Sequence, residues 1–188
     1  MTATQAHQSH SDAFAFGSPD IAAGGTIPLK YALNGMGSTG ENVSPALEWR
    51  NAPTDTRSYS ITVYDPDAPT GSGFWHWGVH NIPGSVTHLA EGAGNSASTL
   101  PKGAYTTVND YHDTGVTQGN GNWGGPCPPV GDRPHHYIFT IYALDTDDMP
   151  GTAQIPRTGT AALHGFALNK LLGPHVLGKA TFTATYSR

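Results

Sequence analysis

Apolar and polar residues alternate or cluster along this chain in short runs with the spacing of strands rather than helices. Ser58–Tyr64 (SYSITVY), Trp75–Ile82 (WHWGVHNI), His136–Leu144 (HYIFTIYAL) and Ala180–Tyr186 (ATFTATY) read as strands. The third is the strongest, and the last has an apolar residue at every second position. Ala13–Phe16 and Thr26–Tyr31 are weaker strand candidates. One helix is predicted, capped by Thr160, carrying Leu163, Phe166, Lys170 and Leu171 at helical spacing, and stopped by Gly173-Pro174. A short further turn follows over His175–Leu177. Between Glu91 and Pro129 the chain is a dense Gly/Asn/Ser/Pro mixture with little periodicity, and a loop of that length is functional or hides irregular strands. Strands with a late helical appendage predict a mainly β protein, a sandwich or mixed sheet. Residues 1–12 read as a disordered polar tail. From Ala13 to Arg188 no linker or repeat marks a second domain, so 13–188 is expected to be one unit.

Composition narrows the class. The 24 Gly and 15 Pro residues lack a period of three, which excludes collagen, and their density excludes an all-helical protein. Charged residues are only 12% of the chain, which argues against disorder away from the ends. Nine bases against fourteen acids, with no basic block, remove the footprint of nucleic-acid binding. The single cysteine, Cys127, excludes an internal disulfide and a Cys-rich zinc site. No apolar run reaches the ~18 residues of a membrane helix. Met1–Asp12 lacks the basic and apolar regions of a secretion signal, so a cytoplasmic location is expected.

Three clusters carry candidate chemistry. Asp65-Pro66-Asp67-Ala68-Pro69 follows directly on a strand. It is either a simple turn or a device that fixes two carboxylates at a pocket mouth. In Gly73-Phe74-Trp75-His76-Trp77, strand alternation sends Trp75 and Trp77 to the core and His76 to the other face, towards a polar cavity or solvent. Gly125-Pro126-Cys127-Pro128-Pro129-Val130-Gly131, followed by His135-His136-Tyr137, is a stiff loop. It either presents backbone N–H groups to an anion or serves as a rigid connection. Cys127 reads as a small residue in a tight loop rather than a nucleophile. Gly35–Gly40 fits GxGxxG but sits in no βαβ unit, and neither GxSxG nor HExxH occurs. Asp65, Asp67, His76 and His135 have side chains able to ligate a metal, although no metal or cofactor is expected.

DPDAPTGSGFWHW, the NIP at Asn81–Pro83 and GPCPPVGDRPHHYIFTIYALD together resemble the phosphatidylethanolamine-binding protein family, in particular its bacterial Raf-kinase-inhibitor-like branch. Ser44-Pro45, Asn109-Asp110 and Tyr186-Ser187-Arg188 support the likeness, which runs from about Phe14 to Arg188. The resemblance implies a β-sandwich with one or two short C-terminal helices. It also implies a small surface pocket at the strand ends that takes phosphate, acetate or a phospholipid headgroup in relatives. By motif position Asp65, His76, His135 and Tyr137 match the pocket residues, Asp67 the second aspartate, and Pro128 and Pro129 the pocket wall. A kinase or protease as regulated partner follows from the resemblance alone, and a homodimer is left open. The chain departs from the family pattern at His136, where Arg is common, at His80, where an apolar or aromatic residue is usual, and in the longer segment YHDTGVTQGNGN after Asp110.

The residue chemistry fits an anion. Two imidazoles and a phenol can donate to a phosphate, and Asp65 can hold a histidine in its donating tautomer or share a proton with the ligand. Arg133 is the only fixed positive charge in these motifs, so binding is expected to be weak and to strengthen as pH falls through ~6.5. The alternative is an enzyme using Asp65 and His76 as an acid–base pair in dehydration, cyclisation or hydrolysis of a small molecule. A third reading is an interaction module with a vestigial pocket. Cavity size separates the first two.

Overall fold

The computed structural model describes residues 13–117 and 120–188, so the expected tail over 1–12 lies outside the described residues. The strands in chain order are β1 (Ala15–Gly17), β2 (Asn34–Gly35), β3 (Ser38–Thr39), β4 (Leu47–Arg50), β5 (Ser58–Asp65), β6 (Phe74–Pro83), β7 (His88–Leu89), β8 (Tyr105–Thr106), β9 (His135–Leu144) and β10 (Val176–Tyr186). Helices α1 (Met149–Ala153) and α2 (Ala161–Phe166) lie between β9 and β10. A five-stranded antiparallel sheet has the order β10-β9-β5-β6-β8, and a three-stranded sheet the order β1-β4-β7. The two layers close on an aromatic core. Phe139 of β9 stacks on Phe182 of β10 at 4.6 Å, Phe16 of β1 meets Phe182 at 5.3 Å, and Trp49 of β4 meets Tyr59 of β5 at 5.2 Å. This is the mainly β sandwich with short late helices that the sequence predicts.

Differences from the sequence expectations have local causes. Thr26–Tyr31 is no strand: Thr26 makes a single bridge to Thr185, and Pro28 then opens a 3-10 turn over Leu29–Tyr31. The turn placed at His175–Leu177 begins earlier, at Gly173–His175, and Val176 already belongs to β10. Strand β4 and helix α1 were not predicted, being only 4 and 5 residues long. The predicted helix runs from α2 into a π turn over Ala167–Leu171. That wider turn shifts the buried stripe, so Ala167, Leu168 and Leu172 are buried while Phe166 and Leu171 are exposed.

The face of the large sheet under α2 encloses a polar cluster. His80 and His164 are both fully buried, with ring centroids 4.7 Å apart. His80 Nδ1 meets Ser60 Oγ at 3.0 Å, while His164 meets the Thr160 carbonyl at 3.1 Å and the Tyr105 hydroxyl at 3.1 Å. Burial holds both imidazoles below the ordinary value, and for His80 the neighbouring His164 adds to the effect.

Phe182→Ala should cost ~3–5 kcal/mol in urea unfolding, the usual loss for a core aromatic; a cost below ~1 kcal/mol would show that the stack contributes little. A histidine whose folded pKa lies below its unfolded value stabilises the fold above pH ~6.5 and loses that contribution as pH falls. His80→Leu should therefore flatten the fall in stability between pH 6.5 and 5 by up to about 1.4 kcal/mol per pH unit, one proton's worth. An unchanged slope would show that His80 takes up its proton within the folded state.

Candidate functional site

The register of β6 decides where its aromatic cluster points. Val63 pairs with Trp77 and Tyr64 pairs with Trp75, so His76 is the extra residue of a β-bulge. His76 and Trp77 consequently face the same, inter-sheet side. Trp77 packs on Trp123 at 6.1 Å, and His76 packs on Tyr137 at 5.1 Å. Trp75 turns to the opposite face, against Tyr64 at 4.6 Å and against Gly165 of α2. A Cβ at Gly165 would stand 2.9 Å from the Trp75 ring, so this contact requires glycine. The simple alternation expected from sequence, with both tryptophans opposite His76, is corrected by this one inserted residue.

The long segment before Pro129 holds the bulge in place. The His76 carbonyl accepts from Gly124 N at 3.2 Å and from Asn109 Nδ2 at 3.3 Å, and its ring Nδ1 donates to the Gly124 carbonyl at 2.7 Å. Asp110 ties to Trp75 in both directions, its N–H donating to the Trp75 carbonyl at 3.0 Å and its carboxylate accepting from Trp75 N at 2.7 Å. The segment also contains β8 and two 3-10 turns, so part of the expected loop is irregular structure.

Asp65 ends β5 beside the start of β9, and antiparallel pairing brings it to His135. Its Oδ2 meets His135 Nδ1 at 2.8 Å, both side chains almost wholly buried. Its Oδ1 accepts from the N–H groups of Asp67 at 2.8 Å and Ala68 at 3.1 Å. The acidic turn is thus an Asx turn built on the pocket carboxylate. His135 Nε2 meets Asp132 at 3.2 Å. Burial alone would lower the His135 pKa, but the carboxylates of Asp65 and Asp132 outweigh it, and the net shift is upward. His76 behaves oppositely: its burial outweighs the Gly124 carbonyl and the Asp65 charge and holds it at about 4.

Asp65, His76, Pro128, Pro129, His135 and Tyr137 line one cavity of about 120 Å³. Asp67 does not line it. Its carboxylate is taken by Arg133 at 2.9 Å and by His136, through both backbone N–H at 2.9 Å and ring Nδ1 at 2.7 Å. The His136 hydrogen bonds lower the Asp67 pKa. Asp67 therefore braces the approach to β9, and His136 shares that brace. The cavity also uses residues not chosen from sequence. Tyr111 donates its hydroxyl to the Gly125 carbonyl at 2.9 Å, and Met36 and Phe74 add apolar walls. Cys127 lines the cavity as well, but burial raises its thiol pKa, which disfavours the thiolate a nucleophile needs. Tyr111 lies in the divergent segment, where no motif points to it. Among the described residues no group of three or more His, Cys, Asp or Glu side chains is arranged to hold a metal.

Residues 17–187 match the profile of the family described as Phosphatidylethanolamine-binding protein. The chain belongs to this family. Two Escherichia coli relatives are the UPF0098 proteins YbcL, 44% identical over 158 residues (84% of this chain, 80% of the relative), and YbhB, 38% identical over 170 residues (90% and 98%). The crystal structure of E. coli YbcL, described as a new member of the mammalian PEBP family, matches with a TM-score of 0.81 at 40% identity. It covers 93% of this chain and 98% of that one. Among the described residues no helix is long and apolar enough to cross a membrane.

The raised pKa of His135 gives the Asp65 pair a defined sign. It stabilises the fold fully below pH ~6.5 and loses that contribution as pH rises through the folded His135 value. Asp65→Asn should bring the His135 titration down, followed by NMR of its ring protons. A His135 titration unmoved by the substitution would assign its stabilisation to Asp132 alone.

Proposed function

We propose that this protein binds small anionic groups of the phosphate type, free or as a phospholipid headgroup, in the cavity lined by Asp65, His76, His135 and Tyr137. The observation that carries this reading is the convergence of these four side chains, from three strands, on a space of about 120 Å³. Sites that enclose a whole small molecule usually measure about 300–1,000 Å³. This one has room for a headgroup while the remainder of the ligand stays outside, against the apolar rim of Met36, Phe74, Pro128 and Pro129. Binding should be weak, because neither nearby arginine lines the cavity. Arg133 is paired with Asp67, and Arg188 donates to the carbonyls of Pro128 at 2.7 Å and Met36 at 3.3 Å.

The enzymatic alternative needs His76 or His135 to move protons near neutrality. His76 sits at about 4 and is a weak base there, and both ring nitrogens of His135 face carboxylates. These observations favour binding over catalysis. A kinase or protease as regulated partner enters the proposal through family membership alone.

Calorimetric titration at pH 6 with inorganic phosphate and phosphoethanolamine tests the reading. His76→Ala should weaken binding at least tenfold, about 1.4 kcal/mol, while its thermal unfolding stays cooperative. Equal affinity in the folded variant would overturn the assignment of the cavity.

A further inference from the structure

The hydrogen-bond inventory of the cavity decides which protonation state of a ligand it accepts; this inference rests on the phosphate-type reading and narrows it to monoesters, since the diester headgroup of an intact phospholipid carries no P–O–H. The Gly124 carbonyl can only accept, so His76 Nδ1, 2.7 Å from it, carries the hydrogen. The neutral ring then carries its lone pair at Nε2; the second backbone group acting on the ring, at Gly125, favours the protonated form and is therefore an acceptor, which cannot satisfy that lone pair. The Tyr137 hydroxyl, buried in the cavity wall, has no partner among the described residues. The other side-chain donors are committed, those of His135 to Asp65 and Asp132. Asp65 already accepts from two backbone N–H groups and from His135. The Tyr111 hydroxyl donates to Gly125, and the Thr70 hydroxyl to the Gly73 carbonyl at 2.5 Å. Pro128 and Pro129 have no N–H to offer.

The cavity therefore presents one lone pair and one hydroxyl beside a carboxylate. We propose that it selects the singly charged, hydrogen-bearing form of a phosphate monoester, whose P–O–H donates to His76 Nε2 while the Tyr137 hydroxyl donates to a bare oxygen. A doubly charged ester would set lone pair against lone pair at His76 and a second negative charge against Asp65. The groups that face His76 sustain this state. They are Asp65 from β5, His135 and Tyr137 from β9, and Tyr111 and Cys127 from the wrapping segment, with Arg188 behind Met36 and Pro128. Burial keeps His76 neutral down to about 4, so its own protonation does not supply the positive charge that the sequence suggested for binding near pH 6.5.

Methyl phosphate and methyl sulfate test this, since at pH 5.5 both are largely monoanions of nearly equal size but only the phosphate carries a proton. Monoesters lose it with a pKa of about 6. Measured by calorimetry, methyl phosphate should bind at least tenfold more tightly than methyl sulfate at pH 5.5. Its affinity should fall about tenfold per pH unit above pH 7, tracking the monoanion. In His76→Gln, whose amide can turn either a donor or an acceptor to the ligand, the preference should shrink to about twofold or less. Equal binding of the two esters, affinity that holds to pH 8, or undiminished preference in His76→Gln would overturn the inference and leave the phosphate-type reading standing. Binding of neither ester would overturn both.

Discussion

The extra residue that β6 inserts opposite Val63 is the constraint on which the cavity depends. Without it, alternation would place His76 opposite Tyr64 and next to Thr62, on the sheet face covered by α2, away from Asp65 and Tyr137. The bulge turns His76 inward and Trp75 outward, and each consequence has its own support. Inside, Gly124 and Asn109 take up the backbone groups that the interrupted ladder leaves free. Outside, Gly165 lets α2 close over the displaced indole. The segment between β8 and β9 is long because it has this work to do: it satisfies the bulge and then supplies Tyr111, Cys127 and the two wall prolines.

Charge in the cavity is organised around Asp65 in the same way. A buried carboxylate needs compensation, and Asp65 receives it from two turn N–H groups and His135. That compensation leaves little for a ligand. The site is consequently poor in donors, a different balance from the cationic clefts that hold phosphate through arginine or lysine. Asp67, one residue beyond Pro66, spends its charge on Arg133 and His136 and fixes the loop that delivers His135 to Asp65.

The long strands were legible because each keeps one face against the other layer, so period-2 alternation survives from Tyr59 to Val63 and from Tyr137 to Ile141. The pocket residues were legible because the two motifs are long and distinctive. The bulge was not, since a run such as WHWGV looks the same with or without an inserted residue; only pairing with β5 reveals it. Phe166 and Leu171 misled because the π turn moves the buried stripe off the α-helical period. Asp67 looked like a twin of Asp65, but the residues that claim it lie 66 and 69 positions away, a proximity that only the fold creates.

His76 and His80 lie four residues apart on β6, both buried and both on sheet faces that exclude water. What separates them is access. His80 Nε2 is sealed without a partner beneath α2, whereas His76 borders a cavity. Acidification asks both to accept protons that burial resists, and His164 adds a third such demand. His135 is shifted the other way by its carboxylates and stabilises the fold on the acid side. The fold therefore sets one charge-favouring histidine against three charge-resisting ones. Below pH ~6.5 the balance of these four tilts towards loss of stability. A ligand that itself donates the hydrogen bond at His76 meets the demand for a proton there without charging the ring, so occupancy of the cavity and burial of the histidine are compatible in one folded state.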